Sequence, residues 1–228
     1  MPIAAIAVHV FTASGIVCAL LATVAMMDGA YERMFIWLGA AFVIDAVDGT
    51  LARMVRVEDR LPRFSGERLD LVIDYVTYVF LPTLAMIKAG YLGGPAGLVL
   101  AGLVLMSSLF HFSDTESKAE DNCFIGFPAV WNLVAFYLFA LDPGRPVALA
   151  VVALGVAMTF VPWRWVHPLR VVALRPLTLG MTALWAVASV WTVMTGFPAP
   201  TALKALLMVV ALYAVGLSLV WRRAPEGV

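Results

Sequence analysis

Long apolar stretches follow one another along the whole sequence, with mostly short polar segments between them. Of the 228 residues, 63% are hydrophobic and only 13% are charged, whereas a typical soluble domain is about 45–50% apolar and about 25% charged. About 20 consecutive apolar residues can cross the hydrocarbon core of a bilayer as a helix. The pattern therefore predicts an all-α, polytopic integral membrane protein, and it excludes a soluble globular domain or a disordered chain.

Eight apolar stretches can be marked, and each is predicted to form a transmembrane helix. Most of the connections between them are short and contain Gly, Pro and Asp, which are typical turn residues. Because no linker is visible, residues 1–228 are predicted to form a single membrane domain. The predicted spans are residues 3–27, 32–54, 67–89, 94–113, 125–141, 145–163, 174–194 and 200–221.

The distribution of charge indicates both the partners and the orientation of the chain. Fifteen basic residues balance fifteen acidic ones, so no basic surplus exists to bind nucleic acid. If the eight stretches alternate across the membrane, eleven Lys and Arg residues fall on one side and four on the other. The positive-inside rule places the eleven in the cytoplasm. We therefore expect a multi-pass protein of the bacterial inner membrane, with both termini and the longer loops cytoplasmic.

The first long polar segment alternates arginines with apolar residues over residues 53–65. Such alternation is typical of a short amphipathic helix that lies in the membrane interface, with arginines near lipid phosphates. We therefore predict a short cytoplasmic interfacial helix here. A solvated connecting loop is the alternative.

Four carboxylates lie inside or at the edge of two consecutive predicted spans. Asp45 and Asp48 are three residues apart near the cytoplasmic end of the second span, and Asp70 and Asp74 are four apart near the start of the third. These spacings put each pair on one helix face, and the short connection makes the two helices antiparallel neighbours. Charge at membrane depth is costly and usually marks function. We therefore predict that the two pairs face each other and bind divalent cations.

An oxygen-only ligand set favours Mg²⁺, Mn²⁺ or Ca²⁺ over zinc. Two other interpretations remain open: a buried polar network that ties helices together, and the ion relay of a transporter. The first would be costly without further partners. The second needs acids spread along a transmembrane path, whereas these four cluster at one end.

The residues around the aspartates form a longer pattern. The chain reads D-A-V-D-G-T-L-A-R over residues 45–53 and G-E-R-L-D-L-V-I-D over residues 66–74. This resembles the signature of the CDP-alcohol phosphotransferases, D-x-x-D-G-x-x-A-R followed by G-x-x-x-D-x-x-x-D, and every fixed position is filled. Twelve residues separate Arg53 from Gly66, a gap longer than usual and similar to that of the branch that joins choline directly to CDP-diacylglycerol.

The resemblance implies an enzyme that transfers the phosphatidyl group of CDP-diacylglycerol to choline in the membrane and releases CMP, with serine or another alcohol as the alternative acceptor. It implies that Asp45, Asp48 and Asp70 bind metal, and that Asp74 is the general base and shares a metal. The implied cofactor is a divalent cation, Mn²⁺ or Mg²⁺, in a two-ion site. A homodimer is also implied, since dimers are usual in this family.

Several residues near the aspartates suit a nucleotide or pyrophosphate. The two signature glycines let the backbone approach a phosphate closely, and a guanidinium can bridge pyrophosphate oxygens. Part of the first span looks like a diverged version of a family segment that lies near the nucleotide. The predicted contacts are Thr12, Ser14, Gly49, Thr50, Arg53 and Gly66.

Choline is a quaternary ammonium ion, which proteins recognise with aromatic faces and sometimes a carboxylate. Tyr78 lies one turn beyond Asp74 and is the first candidate for such a contact. Trp131 and Phe127, near the start of the fifth predicted span, are further candidates, and so is Glu67. Aromatic belts at the membrane interface explain many such residues equally well.

Two arginines of the cytoplasmic loop before the seventh predicted span, Arg164 and Arg170, are predicted to bind the lipid phosphate. The positive-inside rule alone also explains them. No role is predicted for His9, His111 or His167.

Overall fold

The computed structural model describes residues 2–114, 123–165 and 174–221, and these residues are largely helical. The helices are α1 (Pro2–Met27), α2 (Tyr31–Val55), α3 (Val57–Arg60), α4 (Gly66–Asp74), α5 (Leu81–Lys88), α6 (Gly94–Ser113), α7 (Trp131–Leu141), α8 (Arg145–Thr159), α9 (Arg175–Thr195) and α10 (Thr201–Trp221). A π-helical segment, Tyr75–Phe80, joins α4 to α5, and two short strands are β1 (Phe124–Ile125) and β2 (Arg164–Trp165).

Within the described ranges, six stretches of helix are long and apolar enough to cross a bilayer. One of them comprises α4, the π-helical segment and α5 without a break. Large apolar side chains such as Val187, Val190 and Trp191 of α9 are more than half exposed, which costs little where the neighbouring medium is lipid. The prediction of an all-α, multi-pass membrane protein is confirmed. The six stretches are Ile3–Met27, Tyr31–Val55, Gly66–Lys88, Gly94–Ser113, Arg175–Thr195 and Thr201–Leu219.

The predicted spans 125–141 and 145–163 are shorter in the structure. α7 has 11 residues and α8 has 15, so they extend about 17 Å and about 22 Å, less than the hydrocarbon core of about 30 Å. The remaining residues are not helical, since β1 pairs antiparallel with β2 and the N–H of Phe127 donates to the carbonyl of Met158. The prediction of eight full-length spans is therefore wrong for these two. The residues before α7 and after α8 hydrogen-bond to each other instead of continuing the helices.

The described chain divides into two compact units, Met1–Ala85 and Met86–Val228, and a single domain over the whole chain stays a prediction. In the first unit, α1 and α2 form an antiparallel hairpin. Gly29, in the connection, has a φ of 74°, a left-handed conformation that glycine adopts at little cost. The end of α2 returns to the start of α1, where Leu51 packs against a cluster that contains Ala5 and Val8.

The interfacial helix predicted over residues 53–65 is reduced to a single turn. α2 continues through the first of these residues to Val55, and Arg56 then takes a left-handed conformation with a φ of 52°. Only Val57–Arg60 forms a further turn of helix. Val57 is 4% exposed and packs with the apolar residues at the start of α1. The prediction is wrong in length, because this apolar side chain packs inside the protein.

α4 begins after Ser65, whose side-chain oxygen caps the helix by accepting a hydrogen bond of 3.2 Å from the N–H three residues later. The helix lies alongside α1, with Gly66 beside the ring of His9 and Ile73 beside Gly15. The two contacts occur in the same order along α1 and along α4. α1 and α4 therefore run in the same direction, while α2 runs antiparallel to both.

Gly15 is a point of close approach between α1 and α4. A Cβ atom there would lie 2.9 Å from Cγ2 of the buried Ile73, so Gly15→Ala is expected to destabilise the protein by about 1–3 kcal/mol through overpacking. Gly39→Ala in α2 is the matched control, since a Cβ there would meet nothing within 4 Å. Thermal unfolding of both variants in detergent tests this. Equal melting temperatures would show that α1 and α4 separate without cost.

In the second unit, α7 contacts three other helices. Trp131 is fully buried, its Nε1 donates to Oγ of Ser108 in α6 over 2.8 Å, and its ring lies against Gly155 in α8. The hydroxyl of Tyr137 donates to the carbonyl of Leu207 in α10 over 3.1 Å. The indole of Trp131 and the hydroxyl of Tyr137 are thus hydrogen-bonded to neighbouring helices.

Candidate active site

Three aspartates of the first unit converge at one point. Asp45 belongs to α2, whereas Asp70 and Asp74 belong to α4, and each offers one carboxylate oxygen within 4.8 Å of the other two. The four-residue spacing puts Asp70 and Asp74 on one face of α4, opposite the antiparallel α2. All three residues are half-buried. We call Asp45, Asp70 and Asp74 the carboxylate trio.

Asp48, the fourth predicted metal ligand, is more deeply buried than the trio. It is 7% exposed, and the side chain of Thr12 is hydrogen-bonded to its carboxylate. Thr12 and all four aspartates line one small cavity. The structure thus places Thr12, a predicted phosphate or ribose contact, beside a carboxylate. Metal binding by Asp48 stays a prediction.

The carboxylate trio has the chemistry of a site for a hard divalent cation. Three ionised carboxylates at this separation repel one another, and a cation between them removes the repulsion. Carboxylate oxygens are ligands that Mg²⁺ and Mn²⁺ accept readily. The residues present therefore fit a divalent cation, which they could hold between α2 and α4.

Two of the predicted pyrophosphate contacts of α2, Gly49 and Arg53, lie about one and two turns beyond Asp45, toward the same side of the helix. Arg53 is exposed, and its Nη2 donates to Oγ1 of Thr50 over 3.2 Å. Its Nη1 lies 3.5 Å from the position that a Cβ would take at Gly49. The guanidinium therefore lies over Gly49, next to the face of α2 that includes Asp45.

The other predicted nucleotide contacts lie on α1 and at the start of α4. Gly66 is the first residue of α4, and Glu67 follows it as an exposed side chain. The hydroxyl of Ser14 donates to the carbonyl of Phe11 over 2.6 Å, within its own helix. Nε2 of His9 is buried and has no hydrogen-bond partner in the part of the chain that the structure describes. Nucleotide binding by these residues stays a prediction.

The π-helical segment that follows the last aspartate of α4 is a feature that sequence reasoning missed. The N–H of Leu81 donates to the carbonyl of Val76, five residues earlier. Pro82, the next residue, has no N–H, and its ring excludes the carbonyl of an ordinary α-helical turn. This proline is the signal that could have predicted the wider turn.

Tyr78 lies within the π-helical segment. Its hydroxyl donates to Oδ2 of Asp45 over 2.6 Å, so the structure brings this predicted choline contact directly to the carboxylate trio. The ring of Phe42 meets that of Tyr78 edge-on, with 6.4 Å between the ring centroids.

The remaining candidates belong to the second unit or lie outside the described residues. Trp131 has no exposed surface, and the ring of Phe127 lies 4.9 Å from the Trp131 ring between centroids. Arg164 is half-buried in β2. Arg170 and His167 lie outside the described residues. Choline or lipid contacts by these residues stay predictions.

A multi-pass helical protein with three carboxylates converging near one end of neighbouring apolar helices has the features of a membrane-embedded enzyme that acts on phosphate groups. No model of a known protein family matches the chain. Individual bacterial proteins, in contrast, match it over nearly its whole length.

A phosphatidylcholine synthase of Rhizobium johnstonii is 42% identical over 93% of this chain and 88% of its own length. One of Pseudomonas aeruginosa is 41% identical over 96% of this chain and 92% of its own length, and one of Borreliella burgdorferi is 29% identical over 93% and 90%. The chain belongs to the phosphatidylcholine synthase family. It is a phosphatidyltransferase of phospholipid biosynthesis, as the aspartate signature predicts.

Proposed function

We propose that the chain transfers the phosphatidyl group of CDP-diacylglycerol to choline, producing phosphatidylcholine and CMP, with divalent cations as cofactor. The observation that supports this best is the carboxylate trio, because it joins the two halves of the signature at one point between α2 and α4. The similarity to phosphatidylcholine synthases over most of the chain supports choline as the acceptor.

In this proposal the carboxylate trio and Asp48 hold two ions, Mn²⁺ or Mg²⁺. When bound, such ions neutralise phosphate charge and stabilise both the attacking and the leaving oxygen. The carboxylates of Asp48 and Asp45 are hydrogen-bonded to the hydroxyls of Thr12 and Tyr78, respectively. Neighbouring groups of this kind orient metal ligands.

Arg53 is the group that would bind the pyrophosphate. Its guanidinium is exposed and lies over Gly49, about two turns from Asp45 and toward the same side of α2. A planar guanidinium donates to two phosphate oxygens at once, so it can hold the charge that develops on the CMP oxygen. Thr50, Gly66 and the small residues of α1 would complete the nucleotide contacts.

Asp74 would accept the proton of the choline hydroxyl as that oxygen attacks the phosphorus bearing diacylglycerol. The new P–O bond joins choline to the phosphatidyl group, and the bond from that phosphorus to the CMP oxygen breaks. CMP leaves with the bonding electron pair, and no covalent enzyme intermediate is needed. A positioned general base of this kind contributes about 10²–10⁴-fold to the rate.

The remaining contacts follow from substrate chemistry. The quaternary ammonium of choline suits an aromatic face with a carboxylate, and within the first unit Tyr78 and Glu67 are the candidates for these contacts. Arg164 and Arg170 would bind the lipid phosphate. We further propose a homodimer.

We propose that the active site and both termini lie on the cytoplasmic side of the bacterial inner membrane, since the positive-inside rule favours this side for the arginine-rich loops. Accessibility labelling of cysteines placed at each terminus in intact cells tests the orientation.

A product assay tests the proposal. Purified protein receives CDP-diacylglycerol, Mn²⁺ and, in separate reactions, labelled choline, serine, glycerol or inositol. We expect labelled phosphatidylcholine and an equal amount of CMP from choline alone. Product from serine or inositol instead would retain the reaction type and contradict the choline contacts, and no product from any alcohol would contradict the proposed function.

A further inference from the structure

The hydrogen bond between Tyr78 and Asp45 joins the π-helical segment to the metal ligand of α2. At 2.6 Å between the two oxygens, it lies in the range of O–H···O⁻ bonds to an ionised acceptor, which are about twice as strong as neutral ones. A carboxylate has two oxygens. The hydroxyl can therefore hold Oδ2 while the carboxylate remains available to a cation.

The wide turn of the helix determines where this hydroxyl lies. Leu81 donates to the carbonyl of Val76 instead of that of Thr77, which inserts one extra residue into the turn. The hydroxyl of Thr77 donates to the carbonyl of Ile73, four residues earlier, over 3.0 Å, a type of bond that often bends helices. π-helical turns occur frequently at functional sites.

The ring of Tyr78 makes a second contact with α2, through Phe42. Phe42, one turn before Asp45 on α2, packs edge-on against it, an arrangement that aromatic pairs favour. The ring thus contacts α2 through both Phe42 and Asp45, and these two contacts limit its rotation.

We infer that Tyr78 is a positioning residue for the metal site: its hydroxyl orients the carboxylate of Asp45 toward the cation, rather than serving mainly to contact choline. The inference rests on the proposed metal-dependent function. Hydrogen-bond partners of metal ligands typically change metal affinity by about 10–100-fold when they are removed. Metal affinity is therefore the property that the Tyr78 hydroxyl should control.

Tyr78→Phe removes the hydroxyl and keeps the ring. We expect the purified variant to bind Mn²⁺ about 10–100-fold more weakly than the wild type, measured from the electron paramagnetic resonance signal of free Mn²⁺ during a titration without substrate. Tyr137→Phe is the matched control, since it also removes a tyrosine hydrogen bond from a helix-packing contact but in the second unit. Its Mn²⁺ affinity should equal that of the wild type.

Two further measurements separate a positioning role from other roles. If Tyr78 acts through Asp45, Tyr78→Phe should change Mn²⁺ affinity little when Asp45 is already asparagine. At saturating Mn²⁺, KM for choline should stay within about twofold of the wild-type value, because the aromatic face remains. Unchanged Mn²⁺ affinity together with a raised KM for choline would overturn the inference in favour of a choline contact.

The experiment distinguishes failure of this inference from failure of the proposed function. Weaker Mn²⁺ binding in Tyr78→Phe, in a protein that makes no phosphatidylcholine, would retain the positioning role and reject the reaction. A wild type that binds no Mn²⁺ or Mg²⁺ would overturn both. If Tyr78→Phe does not purify as folded protein, Tyr78→Gln, which keeps a donor, should bind Mn²⁺ more tightly than Tyr78→Leu, and equal affinities would overturn the inference.

Discussion

Asp74→Asn is expected to lower kcat for phosphatidyl transfer to choline by about 10²–10⁴-fold, the usual contribution of a positioned general base. The amide has nearly the shape of the carboxylate but cannot accept the choline proton. It also removes one negative charge from the carboxylate trio. The measurement is the initial rate of labelled phosphatidylcholine formation by the purified variant at saturating Mn²⁺ and substrates.

Asp59→Asn is the control for this substitution. Asp59 is exposed in α3, within the same unit and outside the carboxylate trio, so the same chemical change there should leave kcat unchanged. The melting temperature of Asp74→Asn should not fall below that of the wild type, since it relieves repulsion between neighbouring carboxylates. If Asp74→Asn kept more than about a tenth of the wild-type rate, a group other than Asp74 would have to accept the proton.

Removal of divalent cations with EDTA is expected to abolish activity, and Mn²⁺ or Mg²⁺ should restore it. Without a cation, the negative carboxylates repel one another and the negative phosphate groups of the substrate. Zn²⁺ should restore less activity, because the site offers only oxygen ligands. The same rate assay, run on a metal-free preparation titrated with each cation, tests this.

Thermal stability gives an independent measure of cation binding at the same site. A cation at 100 times its dissociation constant stabilises the folded protein by about 2.7 kcal/mol, so Mn²⁺ should raise the melting temperature of the wild type. Asp70→Asn should reduce or remove this rise without any substrate present. Full activity after exhaustive chelation, or an equal rise in Asp70→Asn, would contradict a metal site at the carboxylate trio.

The spacing of the aspartates was enough to predict most of the candidate site. Positions three or four residues apart share a helix face, and a short connection makes the two helices neighbours. The structure brings Asp45, Asp70 and Asp74 within 4.8 Å. Asp48 lines the same small cavity but is more deeply buried, and its neighbour Thr12 belongs to α1, which is remote from the signature in sequence.

Helical spacing predicted that Tyr78 lies near the aspartates, but not that its hydroxyl binds Asp45. Sequence reasoning assumed regular α-helical turns after Asp74, whereas the wide turn before Pro82 changes the direction of every later side chain. The contact with Asp45 joins residues 33 positions apart. No local pattern predicts a hydrogen bond of this kind, because it depends on how two helices pack.

The class of protein was determined by the sequence alone, because an apolar chain must form helices in lipid, where every backbone group has to be satisfied internally. The cost of charge at membrane depth marked the four aspartates as functional, and the resemblance of their pattern to the CDP-alcohol phosphotransferase signature implied the reaction type. Tertiary structure decided the lengths of the helices formed by residues 125–163, where β1 and β2 satisfy each other's backbone groups. It also decided which hydroxyls hold the aspartates, because such contacts join residues that only packing brings together.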